Sequence, residues 1–168
     1  MKKTITLLGR RFNLQQLQQL INDILIPAET VYHQLNKQIQ EALQYGVDEK
    51  AAYSIPKTLA PIFNRYKRAR KLYQEYQQQY GSLRADYICT PAKPSAPQHI
   101  IHFFCGTTST KQGNPYIRYC VTLAKHKKTL QLVCGCPDYT NRGTSYPCKH
   151  VLFVCMWLRD YMVGMYRD

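Results

Sequence analysis

Four side chains that can bind a metal ion stand in two close pairs toward the end of the chain. Cys134 and Cys136 form the first pair, and Cys148 and His150 form the second after a gap of eleven residues. Three thiolates and one imidazole are the ligand set of a closed tetrahedral zinc site. Because such a site leaves no coordination position open, the pattern favours a structural zinc ion.

The spacing within each pair suggests how the chain presents these ligands. Residues two apart on a strand point to the same face, so the first pair can direct both sulfurs one way. Pro137 cannot donate a hydrogen bond to a strand ladder, and we expect the strand to stop just past the second thiolate. Pro147 suits the start of a helix. Residues two apart on a helix do not face each other. We therefore expect Cys148 at or before the first turn and His150 inside it.

Four alternatives to a zinc site stay open at this point. The cysteines could be unliganded core residues, although the two tight pairs flank a turn-rich loop. A disulfide fits poorly with seven cysteines and no sign of an oxidising compartment. A Rieske-type cluster needs two histidines, and a Cys–His catalytic pair would leave the first two thiols without a role.

The motif resembles the SWIM zinc finger, whose pattern is Cys-x-Cys, a variable gap, then Cys-x-His. The resemblance covers about residues 116–158, and nothing in residues 1–98 matches a family that we can name. Members carry a β-hairpin before the first pair and a helix after the second. The resemblance thus implies strands at 116–123 and 129–134, and a role in binding DNA or partner proteins. SWIM fingers occur in transposases, helicase-like ATPases and recombination accessory factors.

The charge of the chain is a second indication of function. The 168 residues carry a formal charge of +13. Residues 1–88 hold 13 cations and 7 acids, and residues 89–168 hold 10 cations and 3 acids, so the excess is spread along the chain. A field of this sign attracts polyanions, although a merely solvated basic protein has the same composition. We expect a nucleic-acid partner, DNA in preference to RNA.

Composition limits the class of protein. Hydrophobic residues make up 45% and charged residues 20% of the chain, which is typical of a globular protein with one domain or two small ones. The apolar runs are too short for a signal peptide or a membrane span. We expect a reducing cytoplasm, or a nucleus in a eukaryotic host, where paired cysteines bind metal more often than they form disulfides.

The hydrophobic pattern predicts an α+β protein. Residues 2–8 suggest a short strand, and Asn13 suits the N-cap of a helix that ends near Leu25, before Pro27. A second helix is expected over 29–45, and a third from Pro56 to Gly81. A Pro-rich linker at 89–98 then separates this helical region, 1–88, from a zinc-binding module, 99–168. The module is expected to hold a strand at 99–105, a β-hairpin, the zinc loop and a last helix.

Two basic segments are candidates for contact with phosphates. Cations crowd the start of the third helix, and a second group forms the hairpin tip. They are Arg65, Lys67, Arg68, Arg70 and Lys71 on the helix, and Lys125, Lys127 and Lys128 at the tip. A charged turn is also commonly just solvated.

The third helix also carries an apolar and aromatic stripe: Ile62, Tyr66, Ala69, Tyr73, Tyr76 and Tyr80. The stripe favours burial in the core, and base stacking on the tyrosine rings is the alternative.

The remaining titratable and apolar groups have weaker patterns. His99, His102 and Cys105 would make a second metal site only with Cys89 or Cys120. No glycine-rich phosphate loop or framed pair of carboxylates is present, and this indicates a protein that is not an enzyme. The last helix is apolar all round at 151–158, and cover must come from the rest of the chain or from another protein.

These features together predict a non-enzymatic nucleic-acid-binding zinc protein, an accessory subunit of a DNA- or RNA-processing assembly. The alternative is a protein–protein adaptor that binds a partner through the zinc module and the 151–166 helix. An enzyme subunit whose active site lies elsewhere is a third interpretation.

Overall fold

A computed structural model describes most of the chain: residues 3–7, 9–80, 87–88, 101–106, 118–142 and 146–165. The α+β class is confirmed, with long helices first and then an antiparallel sheet followed by helices. The elements are β1 (Thr4–Leu7), β2 (Arg10–Asn13), α1 (Leu14–Gln44), α2 (Glu49–Ala52), α3 (Ala60–Tyr80), β3 (Tyr87–Ile88), β4 (Ile101–Gly106), β5 (Arg118–His126), β6 (Thr129–Cys134), α4 (Pro137–Arg142) and α5 (Lys149–Met165). The predicted linker at 89–98 lies outside the described residues.

The chain begins with a small hairpin. The expected strand is confirmed as β1, but it pairs antiparallel with β2, a strand that was not predicted. Gly9, between the two strands, has a φ of +77°, a conformation that glycine adopts without strain. Asn13 caps α1 as expected, because its side chain accepts a hydrogen bond from the backbone N–H of Gln16.

The predicted break at Pro27 is wrong, because the 31-residue helix α1 continues through this proline. Proline removes one helical hydrogen bond and crowds the preceding turn. Pro27 is exposed, whereas Leu25 and Ala28 on either side of it are buried. Water can therefore reach the carbonyl that loses its partner, and burial of the stripe on both sides holds the helix together.

The third predicted helix starts later than expected. Pro56 lies in a turn, and its carbonyl accepts hydrogen bonds from the N–H groups of Leu59 and Ala60, so α3 begins at Ala60. The short helix α2, capped by the side chain of Asp48, was not predicted. The expected stop at Gly81 lies outside the described residues.

The sheet of the second half has the order β3-β4-β5-β6, and its pairs are antiparallel. Both strands of the expected hairpin are present. Strand β5 starts at Arg118, the first described residue after Gly106. The hairpin turns at Lys127, whose φ is +54°. Along β6, alternate residues are buried, so Leu130, Leu132 and Cys134 share the core face as predicted.

The last helix packs the two halves of the chain together. Phe103 of β4 lies edge-on against Trp157 of α5, with ring centroids 5.8 Å apart. On another side of α5, Phe153 meets Tyr73 of α3 at 5.9 Å. An ion pair of 2.7 Å joins Arg159 to Glu29 on α1. One core thus extends from α1 and α3 through α5 to the sheet.

None of the helices in the described ranges is long and apolar enough to span a membrane.

Candidate metal centre

The first pair of ligands lies where the sheet ends. Cys134 is the last residue of β6 and pairs with Val121 of β5. The N–H of Gly135 then donates to the carbonyl of Cys120, which holds the turn against the sheet. Cys136 follows the strand and immediately precedes α4. The strand therefore stops before the second thiolate and not after it, because Pro137 starts a helix at once.

The second pair lies at the start of α5. Cys148 precedes the helix and His150 is its second residue, as predicted from Pro147. The carbonyl of Cys148 accepts from the N–H of Leu152, which closes the first turn. All four ligand side chains are buried, between 1% and 2% exposed.

The four ligand atoms converge as a metal site requires. One atom from each of Cys134, Cys136, Cys148 and His150 lies within 4.8 Å of all the others. Nδ1 of His150 is 3.8 Å from Sγ of Cys134. A tetrahedral zinc ion, with bonds of about 2.0–2.3 Å, would place neighbouring ligand atoms roughly 3.5–3.8 Å apart. The cluster can therefore hold a metal ion with little movement.

The protons of the cluster are unevenly distributed. A hydrogen bond with Cys134 and further ones with His150 and the N–H of Val151 outweigh burial and lower the pKa of Cys148 to about 4. The same hydrogen bond, reinforced by burial, raises the pKa of Cys134, and burial raises that of Cys136. One thiolate is thus present at neutral pH, and two thiols have protons that a metal must displace.

Neighbouring groups orient the ligands. The N–H of Tyr139 donates to Sγ of Cys136 over 3.4 Å, and the N–H of Cys136 donates to Sγ of Cys134 over 3.4 Å. The ring of Tyr119 lies 5.1 Å from the ring of His150. Hydrogen bonds of this kind fix ligand positions and stabilise thiolate charge.

The alternatives to metal binding have less support. Cys134, Cys136 and Cys148 are free, and no disulfide forms within the described part of the chain. Their convergence with a histidine also goes beyond what scattered core cysteines would show. Cys155, by contrast, is a fully buried core residue, as expected.

A second metal site does not form from the described residues. Nδ1 of His102 lies 3.3 Å from Sγ of Cys120 and 3.0 Å from Oγ1 of Thr122. Cys105 of the same strand is buried, and because it lies three residues after His102 the two side chains point to opposite faces of the sheet. His99 and Cys89, the other candidate ligands, lie outside the described residues.

Arg65 is buried, unlike the other predicted cations of α3. Its side chain is only 7% exposed. Nε and Nη2 donate to the two carboxylate oxygens of Asp138, each over 2.9 Å. Arg65 therefore joins α3 to the start of α4, two residues after Cys136, and does not lie on the open face of α3. Asp138 is a functional candidate that was not predicted. In the sequence it stands out only as an isolated acidic residue two positions after a candidate ligand.

The other predicted cations lie closer to solvent. Lys67, Arg68 and Lys71 are exposed on α3. Lys71 forms a loose ion pair of 3.7 Å with Glu75. Arg70 is half-buried, and its Nη1 is 3.4 Å from the hydroxyl of Tyr32.

At the hairpin tip, Lys127 and Lys128 are exposed and Lys125 is half-buried. The carbonyl of Lys128 accepts from the side chain of Gln16, which ties the tip to α1.

The tyrosine stripe of α3 belongs to the core. Tyr66 and Tyr73 are buried, and the ring of Tyr66 lies 4.9 Å from that of Tyr32. Base stacking on these two rings is excluded by their burial. Tyr76 is half-buried, and the side chain of Tyr80 lies outside the described residues.

The last helix is likewise covered by its own chain. Every residue of 151–158 is buried except the half-buried Phe153, so this segment leaves no apolar face for a partner.

Comparison with known proteins adds nothing to this description: no family model, no curated protein and no solved structure matches the chain.

Proposed function

We propose that this chain is a non-enzymatic zinc protein that binds nucleic acid, with a SWIM-type finger as its metal module. Its role would be that of an accessory subunit in a DNA- or RNA-processing assembly. The observation that carries the proposal is a surface with exposed cations on a chain of charge +13, together with a buried cluster of three cysteines and one histidine.

The ligand set supports zinc and a structural role. Three thiolates and an imidazole suit zinc better than magnesium, calcium or manganese, which prefer oxygen ligands. Four protein ligands complete a tetrahedron, so a bound zinc ion would have no position left for substrate or water. The ion would then hold the end of the sheet and the start of α5 together, which is the ordinary use of such a site.

Two exposed surfaces support nucleic acid as the partner. The helix surface consists of Lys67, Arg68 and Lys71, and the tip surface consists of Lys127 and Lys128. An occupied zinc site would lower the total charge by only one unit, since three thiolates outweigh a divalent ion by one. The charge left is still that of a protein drawn to phosphates with weak sequence preference.

The test is binding to single- and double-stranded DNA and RNA at several salt concentrations, followed by fluorescence anisotropy. On duplex, the slope of log K against log salt should be about −0.9 for each phosphate neutralised. Replacing Lys67 and Lys71 with Gln should flatten that slope by up to about two units and weaken all sequences alike. The matching change at Lys127 and Lys128 measures the contribution of the tip.

Lys37→Gln is the control, because Lys37 is exposed on α1 and outside both surfaces. It should alter the slope by much less than either double variant. Failure of the parent protein to bind any of the four nucleic acids at low salt would reject the proposal. Loss of affinity for one sequence alone would point to base readout instead.

The adaptor alternative has less support, because the apolar segment at 151–158 is covered within the chain. Co-purification of a stoichiometric protein partner, together with no nucleic-acid binding, would favour it.

A further inference from the structure

A cleft of about 550 Å³ lies beside the candidate metal centre. One wall comes from the start of α3 and the turn before it, and the other from the start of α4 and of α5. Its lining includes the side chains of Lys57, Arg65, Arg68, Asp138, Lys149 and His150. Neither Lys57 nor Lys149 was predicted as a site residue, because each is an isolated lysine in the sequence.

Two buried donors of the cleft residues have no hydrogen-bond partner among the described residues. They are Nη1 of Arg65 and Nε2 of His150. The other two nitrogens of Arg65 donate to Asp138, and Nδ1 of His150 faces Sγ of Cys134. A metal bound at Nδ1 would leave the proton on Nε2, so both orphaned nitrogens are donors. Buried donors without an acceptor are costly, and a ligand that supplies oxygens would satisfy them.

The charge of the cleft has the sign that such a ligand requires. Four cations and one carboxylate line it, a net charge of +3. A zinc ion with three thiolates would lower this to +2, because that centre carries −1. Lys149 and His150 are the first two residues of α5, so the positive end of this 17-residue helix also lies at the cleft.

We propose that this cleft binds a phosphate group and that the metal centre organises it. Arg65 and His150 would donate from the floor, while Lys57, Arg68 and Lys149 would neutralise the charge from the rim. Bidentate pairing with Asp138 fixes the guanidinium plane, and Asp138 is in turn held two residues from a metal ligand. The inference rests on the proposed function only in taking nucleic acid as the source of the phosphate.

The first test is a titration of the zinc-loaded full-length protein with inorganic phosphate at constant ionic strength, followed by isothermal calorimetry. The parent should bind one phosphate saturably. Arg68→Gln with Lys149→Gln should weaken binding at least tenfold. Lys57→Gln alone, a change at an exposed turn residue, should weaken it by a smaller factor. Zinc content and the circular dichroism spectrum establish that each variant is folded.

The matched control is Lys37→Gln with Lys50→Gln, which removes the same charge from exposed lysines that belong neither to the cleft nor to the helix and tip surfaces. This variant should bind phosphate as the parent does. The proposal is overturned if the control loses as much affinity for phosphate as the Arg68/Lys149 variant does, or if the Lys57 and Arg68/Lys149 variants bind phosphate as tightly as the parent. Absence of saturable binding by the parent would overturn it as well.

A second titration identifies the source of the phosphate. The probes are one single-stranded oligonucleotide with and without a 5′-phosphate. If the Arg68/Lys149 variant binds both probes more weakly than the parent does, the result supports a backbone phosphodiester as the ligand. If it binds only the phosphorylated probe more weakly, the result supports a terminal phosphate. Phosphate binding by a parent that binds neither probe would leave the cleft as a site for free phosphate and reject the proposed function. If the parent binds both probes and the Arg68/Lys149 variant binds them equally well, the cleft is rejected and the proposed function stands.

Discussion

The helical part of the molecule and its metal end are held together in different ways. Leu17, Ile21 and Leu25 of α1 are almost completely buried, and the ring of Tyr32 stacks on Phe63 of α3 at 5.1 Å. Around Cys136, by contrast, there are only a two-residue link after β6 and the six-residue helix α4. Apolar burial can stabilise the first arrangement, whereas the second depends on a point of attachment such as a metal ion.

The contrast explains the role of the polar contacts at the metal end. Short segments bury little apolar surface and need directional interactions to keep one conformation. Arg65 reaches across from α3 to Asp138, and backbone N–H groups donate to the sulfurs of Cys134 and Cys136. The geometry of the metal end is therefore set largely by directional contacts.

The largest test of this contrast is Cys136→Ser. It should release the metal and disorder the segment between β6 and α5, because metal binding of this kind supplies on the order of 10 kcal/mol of folding free energy. The packing of α1 on α3 should survive, since its contacts do not involve the cluster. Elemental analysis and amide hydrogen exchange measure both outcomes.

Cys120→Ser is the control for that change, since Cys120 is half-buried and not a ligand. It should keep one metal per chain. A folded parent without zinc, or a full metal content in the Cys136 variant, would contradict the assignment of the ligands.

A medium effect is expected from Asp138→Asn. The change leaves the guanidinium of Arg65, 7% exposed, without its carboxylate. Breaking a fully buried pair costs about 3–5 kcal/mol. Because Asp138 is 36% exposed, we expect the free energy of unfolding by urea to fall by about 2–3 kcal/mol.

Glu75→Gln is the matched comparison, because it breaks the exposed pair with Lys71. Such pairs contribute less than about 0.5 kcal/mol. If both variants lose the same small amount, Arg65 and Asp138 do not brace the metal end.

The smallest effect is a count of protons. Cys134 and Cys136 have raised pKa values and are protonated at pH 7, whereas Cys148, with a pKa of about 4, is not. Zinc binding at pH 7 should therefore release about two protons, and the apparent affinity should rise as the pH rises and the two thiols ionise more readily. Calorimetry in buffers of different ionisation enthalpy gives the count. Release of no protons, or of three, would contradict the distribution described for the cluster.

Local patterns were enough to predict several features from the sequence. The cap at Asn13 and the alternation along β6 depend on neighbours in the chain, and both were confirmed. The two pairs of candidate ligands, predicted from their spacing, converge in one buried cluster. The break at Pro27 was predicted wrongly by the same local rules. A proline on the solvent face is tolerated when burial on both sides of it stabilises the helix.

What the sequence by itself determined is therefore the set of residues that can hold a metal ion, the fold class and the overall charge, because residue type and spacing carry that information. Only the tertiary structure decided which cations are exposed. It placed Arg65 against Asp138, 73 residues away, and brought Lys57 and Lys149 to one cleft. Such meetings depend on how α3, α4 and α5 pack, and side chains far apart in sequence leave no periodic signal of their approach.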